Sequence, residues 1–169
     1  MFLHSLKLDN FRRYEKLEVE FNSGLNLLVG ENDSGKTAIV DAIKYVLNTQ
    51  SYEYFRLEDF YLESSKGESQ RTTEFRIECT FKGFDKHEAK HFIEWLGTDN
   101  DKKYFLNVWI SASRKNGRVF YDFKAGSDDE GSTIHGEARD LLRATYLKPL
   151  RDAESELTPK KGSRLSQIL

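Results

Sequence analysis

The stretch Gly30-Glu31-Asn32-Asp33-Ser34-Gly35-Lys36-Thr37 restricts the fold more than any other part of this chain. It has the form G-x-x-x-x-G-K-[ST], a loop whose glycines let the backbone turn tightly and bring main-chain N–H groups to a phosphate. Such a loop needs a strand before it and a helix after it. Leu25-Asn26-Leu27-Leu28-Val29 is a short apolar run that reads as a buried strand. Ile39, Ile43, Val46 and Leu47 recur at helical spacing. The pattern therefore predicts a strand–loop–helix unit whose helix N-terminus faces an anion. Lys36 would reach the β- and γ-phosphate oxygens of a nucleotide, and the Thr37 hydroxyl would take a place on Mg²⁺.

The remaining pattern builds around that unit. Phe2, Leu6 and Leu8 mark a first strand that ends at Asn10-Phe11-Arg12-Arg13-Tyr14. Leu17, Val19 and Phe21 alternate with Glu18, Glu20 and Asn22, which predicts a half-exposed second strand. Asn22-Ser23-Gly24 is a turn. Two strands hairpinned ahead of the loop differ from a Ras-like start, where the phosphate loop follows the first strand. Residues Thr49 to Gln70 read as irregular, with a single helical turn at Leu57-Glu58-Asp59-Phe60-Tyr61 and polar punctuation at Ser64-Ser65-Lys66-Gly67. Thr73 to Phe81 alternates cleanly and predicts a strand. Asp85 to Leu96 reads as an amphipathic helix. Tyr104 to Ser111 and Arg118 to Phe123 read as strands joined by the turn Lys115-Asn116-Gly117. Ser127 to Gly136 is a loop, Gly136 to Thr145 a helix, and Tyr146-Leu147 enters a strand closed by Pro149. The tail from Glu154 onward is polar.

At 169 residues the chain can bury one core. No run is long and apolar enough to cross a membrane, and the N-terminus lacks a signal-peptide core. Cys79 is the single cysteine, so there is no disulfide framework; it reads as a buried thiol in a reducing, cytoplasmic compartment. The net charge of −2 argues against a dedicated nucleic-acid-binding domain. Of the basic clusters, Arg114-Lys115 with Arg118, and Lys160-Lys161 with Arg164, read as solvated loops, leaving Arg12-Arg13.

His87-Glu88-Ala89-Lys90-His91 matches the H-E-x-x-H zinc pattern. On its helix, however, Ala89, Phe92, Ile93 and Leu96 form the apolar face, which turns both histidines toward water, and His135 is the only histidine further along. Three parts of a complete ATPase are missing. No aliphatic strand ends in Asp-Glu, because Lys148 and Pro149 break the run Tyr146–Asp152. Leu165-Ser166-Gln167 lacks the glycines of a Leu-Ser-Gly-Gly signature. No carboxylate cluster forms a nuclease metal site, and Glu154 and Glu156 read as solvated.

Asn10-Phe11-Arg12, the second strand, Gly24-Leu25-Asn26 and the Gly30–Thr37 loop together resemble the N-terminal half of SMC- and RecF-type ABC ATPase heads. Tyr146-Leu147-Lys148-Pro149-Leu150-Arg151-Asp152-Ala153, followed by Gly162-Ser163-Arg164-Leu165-Ser166, narrows the resemblance to the OLD (overcoming lysogenization defect) family of ATP-dependent endonucleases. The resemblance implies an α/β P-loop NTPase fold, with residues 1–169 as the first lobe of an ABC/SMC-type head with mixed and antiparallel strands. It implies that Gly30, Asn32, Asp33, Ser34, Gly35, Lys36, Thr37 and Ala38 hold ATP, with Mg²⁺ on Thr37, and that Arg12 lies near the nucleotide. The segment around Leu150-Arg151-Asp152 would sit where related heads sense the γ-phosphate. The implied partners are the rest of the head, a Toprim nuclease domain, DNA through the full assembly, and a second copy of the chain. The setting would be a bacterial cytoplasm, in anti-phage defence. The chain would then be a fragment, a split subunit or the ordered part of a longer protein, with negligible ATP turnover by itself. Two other readings stand beside this one: a RecF/SMC-type DNA-repair or chromosome-maintenance head, and a non-catalytic module whose nucleotide sets assembly.

Overall fold

A strand with one buried face needs apolar residues at every second position, and β5 (Glu74–Lys82) meets that requirement without exception: Phe75, Ile77, Cys79 and Phe81 are buried while their neighbours are not. In the computed structural model, which describes residues 1–47, 55–63 and 70–145, β5 lies at the centre of a six-stranded sheet. On one side it pairs with β1 (Phe2–Phe11), which pairs in turn with β2 (Tyr14–Glu20). On the other it pairs with β7 (Tyr104–Lys115), whose far edge carries both β6 (Gly97–Thr98) and β8 (Arg118–Gly126). Every pairing among the described strands is antiparallel. A separate ribbon joins β3 (Leu62–Glu63) to β4 (Gln70–Arg71).

Local chemistry explains the connections. Asn116 and Gly117 both adopt positive φ, +50° and +75°, so the β7–β8 link is a tight turn of the primed kind that suits the strand twist. Lys115 pairs directly with Arg118 across it. The single helical turn expected near Leu57 is a 3₁₀ turn over Leu57–Asp59. It is stitched to the β1–β2 hairpin by the Arg12 N–H donating to the Asp59 carbonyl and the Tyr61 N–H donating to the Asn10 carbonyl, at 2.8 and 2.9 Å.

Helix α1 (Lys36–Leu47) lies on the apolar face of the sheet, where Ala38, Ile39, Ala42, Val46 and Leu47 meet Leu6, Leu8, Ile77, Val108 and Ile110. Ile43 packs against the margin of this core. Cys79 sits in its middle, and burial, with the adjacent Glu78 charge, pushes its thiol pKa well up. The opposite face is polar: Arg76 pairs with Glu78 at 2.7 Å and covers the ring of the buried Trp109.

Four expectations are corrected. The run Leu25–Val29 forms no ladder, and Leu25, Leu27 and Val29 are 95%, 81% and 83% exposed. Alternation is kept, since Leu28 packs against the core, but nothing among the described residues covers the other side chains. The second helix is short: α2 spans Lys86–His91 and then passes into turns, so that Ala89, Phe92 and Trp95 are buried while Ile93 faces water. Asp85 caps α2 by accepting from the His87 and Glu88 N–H groups. The third, α3, spans only Gly136–Leu141. Arg114 is half-buried, donating to the Arg71 carbonyl, not a solvated loop charge. The expectations for Ser64–Gly67, Tyr146–Asp152 and everything beyond lie outside the described residues.

Candidate functional site

The loop before α1 has the shape that its glycines require. Gly35 adopts φ +95°, and a Cβ there would collide with the Tyr14 hydroxyl and stand 2.7 Å from Arg13 Cδ. A Cβ on Gly30 would stand 2.8 Å from Ser34 Oγ. Asp33 takes a left-handed φ of +67°, unusual for a residue with a side chain. The turn then runs directly into α1, with the Ala38 and Ile39 N–H groups donating to the Gly35 carbonyl. The N–H groups of Asn32, Asp33, Gly35, Lys36 and Thr37 find no acceptor among the described residues. They are orphan donors at a helix start, the arrangement that binds anions.

The Lys36 ammonium lies over this loop, not out in solvent. It donates to the carbonyls of Gly30 and Glu31 at 2.7 and 2.5 Å and to Ser34 Oγ at 3.1 Å. Thr37 is exposed in the first turn of α1, where its hydroxyl is open to a ligand. A cleft of about 330 Å³ collects Arg12, Arg13, Asn32, Asp33 and Gly35 with Lys36, Thr37 and Ala38. Gly30 and Ser34 do not line it; each instead accepts a hydrogen bond from the Lys36 ammonium.

Arg12 reaches the cleft but its guanidinium is engaged elsewhere. Nη1 donates to Asp41 of α1 at 2.6 Å, and Nε donates to the buried Asp59 at 2.9 Å. Burial opposes the charge, but the hydrogen bonds and charges of the two carboxylates outweigh it, so the Arg12 pKa is raised. Asp59 is fixed by its other oxygen, which accepts from the Arg56 N–H at 2.9 Å. Asp41 also accepts from Lys44 at 3.1 Å. Arg12 is thus a clamp that ties the hairpin, the helix and the 3₁₀ turn together.

The sequence assigns no site role to Asp41, Asp59, Arg13 or Tyr14. The Arg12-Arg13 doublet was the available signal for one of them; the aspartates gave none, because their partner lies 29 and 47 residues away. A larger cleft of about 430 Å³ on the polar sheet face is lined by Asp9, Glu74, Arg76 and Asp122, but its one basic group is already paired with Glu78. The rings of His87 and His91 lie 5.3 Å apart and tilted, His91 approaches Glu137 at 3.5 Å, and Glu88 binds the N-terminal ammonium at 2.6 Å. No group of three metal-ligating side chains gathers among the described residues.

Against known proteins, a family profile described as AAA ATPase domain matches residues 1–151. Among curated relatives, the DNA replication and repair protein RecF of Clostridioides difficile is 58% identical over 48 residues, covering 28% of this chain and 13% of that protein. RecF of Rickettsia felis is 27% identical over 141 residues, 76% of this chain and 36% of the relative. The chromosome partition protein Smc of Fusobacterium nucleatum is 25% identical over 153 residues, 86% of this chain and 13% of the relative. The chain thus spans 13% to 36% of the length of these proteins. Two solved structures share the fold. One comes from work on ATP-driven dimerization and DNA-stimulated activation of SMC ATPases, with a TM-score of 0.51 at 20% identity over 99% of this chain and 91% of that one. The other is the recombination mediator RecF with ATP, with a TM-score of 0.54 at 17% identity over 99% of this chain and 36% of that one.

Proposed function

The chain belongs to the AAA ATPase domain family, and from that premise we propose that it binds ATP with Mg²⁺ as the N-terminal lobe of a RecF/SMC-type ATPase head. The observation that carries this is the single cleft in which orphan main-chain N–H groups, the Lys36 ammonium and the exposed Thr37 hydroxyl face one another. Gly30, Asn32, Asp33, Ser34, Gly35, Lys36, Thr37 and Ala38 wrap the phosphates, and Thr37 supplies one oxygen to Mg²⁺. Mg²⁺, when bound, neutralises phosphate charge; the chain's own part is to hold and orient the anion.

The exposed Leu25, Leu27 and Val29 support the lobe assignment. An alternating apolar segment with no ladder is a strand whose partners come from outside the described residues. The rest of the head is that partner, and a second copy closes over the nucleotide, in line with the ATP-driven dimerization of the SMC relative. The RecF and Smc relatives support an assembly acting on DNA in the bacterial cytoplasm. Among the described residues no helix is long and apolar enough to cross a membrane.

The OLD nuclease reading, with a Toprim partner and a role in anti-phage defence, rests on Tyr146–Ala153 and Gly162–Ser166. The RecF and Smc likenesses support a repair or chromosome-maintenance head at least as well. DNA cleavage by the full-length protein that depends on downstream carboxylates would favour OLD. For the central reading, calorimetric titration with MgATP should give saturable binding that Lys36→Ala abolishes, with negligible steady turnover by these 169 residues. Rapid turnover lost in Lys36→Ala would overturn the lobe assignment.

A further inference from the structure

The hairpin tip over the phosphate loop carries two adjacent arginines in opposite circumstances. Arg12 is bound on both sides by carboxylates. Arg13 is exposed, lines the same cleft, and makes no hydrogen bond or ion pair with any described residue. Its stem already lies across the loop, with Cδ 2.7 Å from the position of a Cβ on Gly35. Asp33 is the one acidic side chain lining the cleft, and it forms no ion pair with Arg13.

The backbone of the tip that carries Arg13 is held in place. Phe11 pairs with Tyr14, so Arg12 and Arg13 alone make the turn. Asn10 and Arg12 take φ of +55° and +52°, left-handed values that disfavour side chains. That conformation persists because Arg12 is anchored through both its main chain and its guanidinium to Asp59, and through the guanidinium to Asp41. The Tyr14 hydroxyl also donates to the Ser34 carbonyl at 3.3 Å, joining the tip to the loop. An unpaired guanidinium held above orphan N–H donors and an ammonium makes a site strongly selective for a polyanion.

The geometry points to Arg13 as a ligand for the phosphate tail of the bound nucleotide, with Arg12 the positioning residue that fixes the tip from which it reaches. This rests on the nucleotide reading above. A guanidinium suits the task because its forked donors span two phosphate oxygens.

The test is calorimetric titration of the full chain with ATP and with inorganic tripolyphosphate, each with Mg²⁺. Arg13→Ala should weaken both ligands by a similar factor, roughly ten- to a hundredfold for lost charge-assisted contacts, and Arg13→Lys should recover part of it. The thermal midpoint should not move, since Arg13 has no internal partner to lose. Arg12→Ala should weaken tripolyphosphate only while Arg13 is present, so that the double variant binds no worse than Arg13→Ala. Weaker ATP with unchanged tripolyphosphate would place Arg13 on the base and overturn the assignment. Unchanged affinity in Arg13→Ala, with binding abolished in Lys36→Ala, would overturn it and leave the phosphate-loop reading intact. Failure of the unaltered chain to bind either ligand would overturn both.

Discussion

The two segments flanking the phosphate loop carry equally apolar sequences and meet opposite fates. Downstream, α1 buries Ala42 and Val46 completely against β5 and β7. Upstream, Leu25, Leu27 and Val29 stand in water. The difference lies in where each partner comes from. The surface that receives α1 is made by β1, β5 and β7 of this same chain, whereas nothing among the described residues receives Leu25, Leu27 or Val29. An apolar pattern states that a segment is fitted for burial; it does not say which part of a protein supplies the cover.

The sharpest test of this contrast removes the anchor of the downstream side. Asp59→Ala should remove one of the two carboxylates that hold Arg12 and cost about 3 kcal/mol, the low end for a broken buried pair because Asp41 and some access to water remain to the guanidinium. The urea midpoint would report it, and a change under about 0.5 kcal/mol would mean that the clamp does not hold helix to hairpin. Val46→Ala should come next, at about 2 kcal/mol for lost burial and the cavity left behind. Leu27→Ser should do almost nothing to this chain, within about 0.5 kcal/mol, as for an ordinary surface change. In a longer chain that covers the segment, the same substitution should cost at least about 2 kcal/mol; equal, small effects in both would break the comparison.

The smallest effect lies far from both flanks and serves as a control. The Asp85 pKa is lowered chiefly by the hydrogen bond from the Glu88 N–H, and the Glu88 pKa chiefly by its bond to the N-terminal ammonium. Both folded values lie below the unfolded ones, so their contribution is present above the ordinary carboxylate range and is lost as pH falls through the lowered values. Amide exchange at His87 and Glu88 should quicken on acidification relative to the intrinsic rate, and Asp85→Asn should flatten that dependence.

What the sequence made legible was whatever a few neighbouring residues encode by themselves. The alternation of Glu74–Lys82, the Asn116-Gly117 turn and the loop from Gly30 into α1 all have this character. The 3₁₀ turn at Leu57–Asp59 was legible too. What stayed hidden depends on distant partners. Asp41 and Asp59 become meaningful only when folding brings Arg12 between them. The early end of α2 has a similar origin: Trp95 is buried, which leaves Ile93 facing water, a choice that helical periodicity alone does not make.

The posture of Lys36 has a consequence for how an anion would be received. Its ammonium is already coordinated by three oxygens of its own loop. An incoming phosphate therefore does not meet a bare or merely hydrated cation; it competes with an internal mimic that keeps the turn in shape beforehand. Capture becomes an exchange of oxygen ligands around one nitrogen, and the heat released should be smaller than a tally of new contacts would suggest.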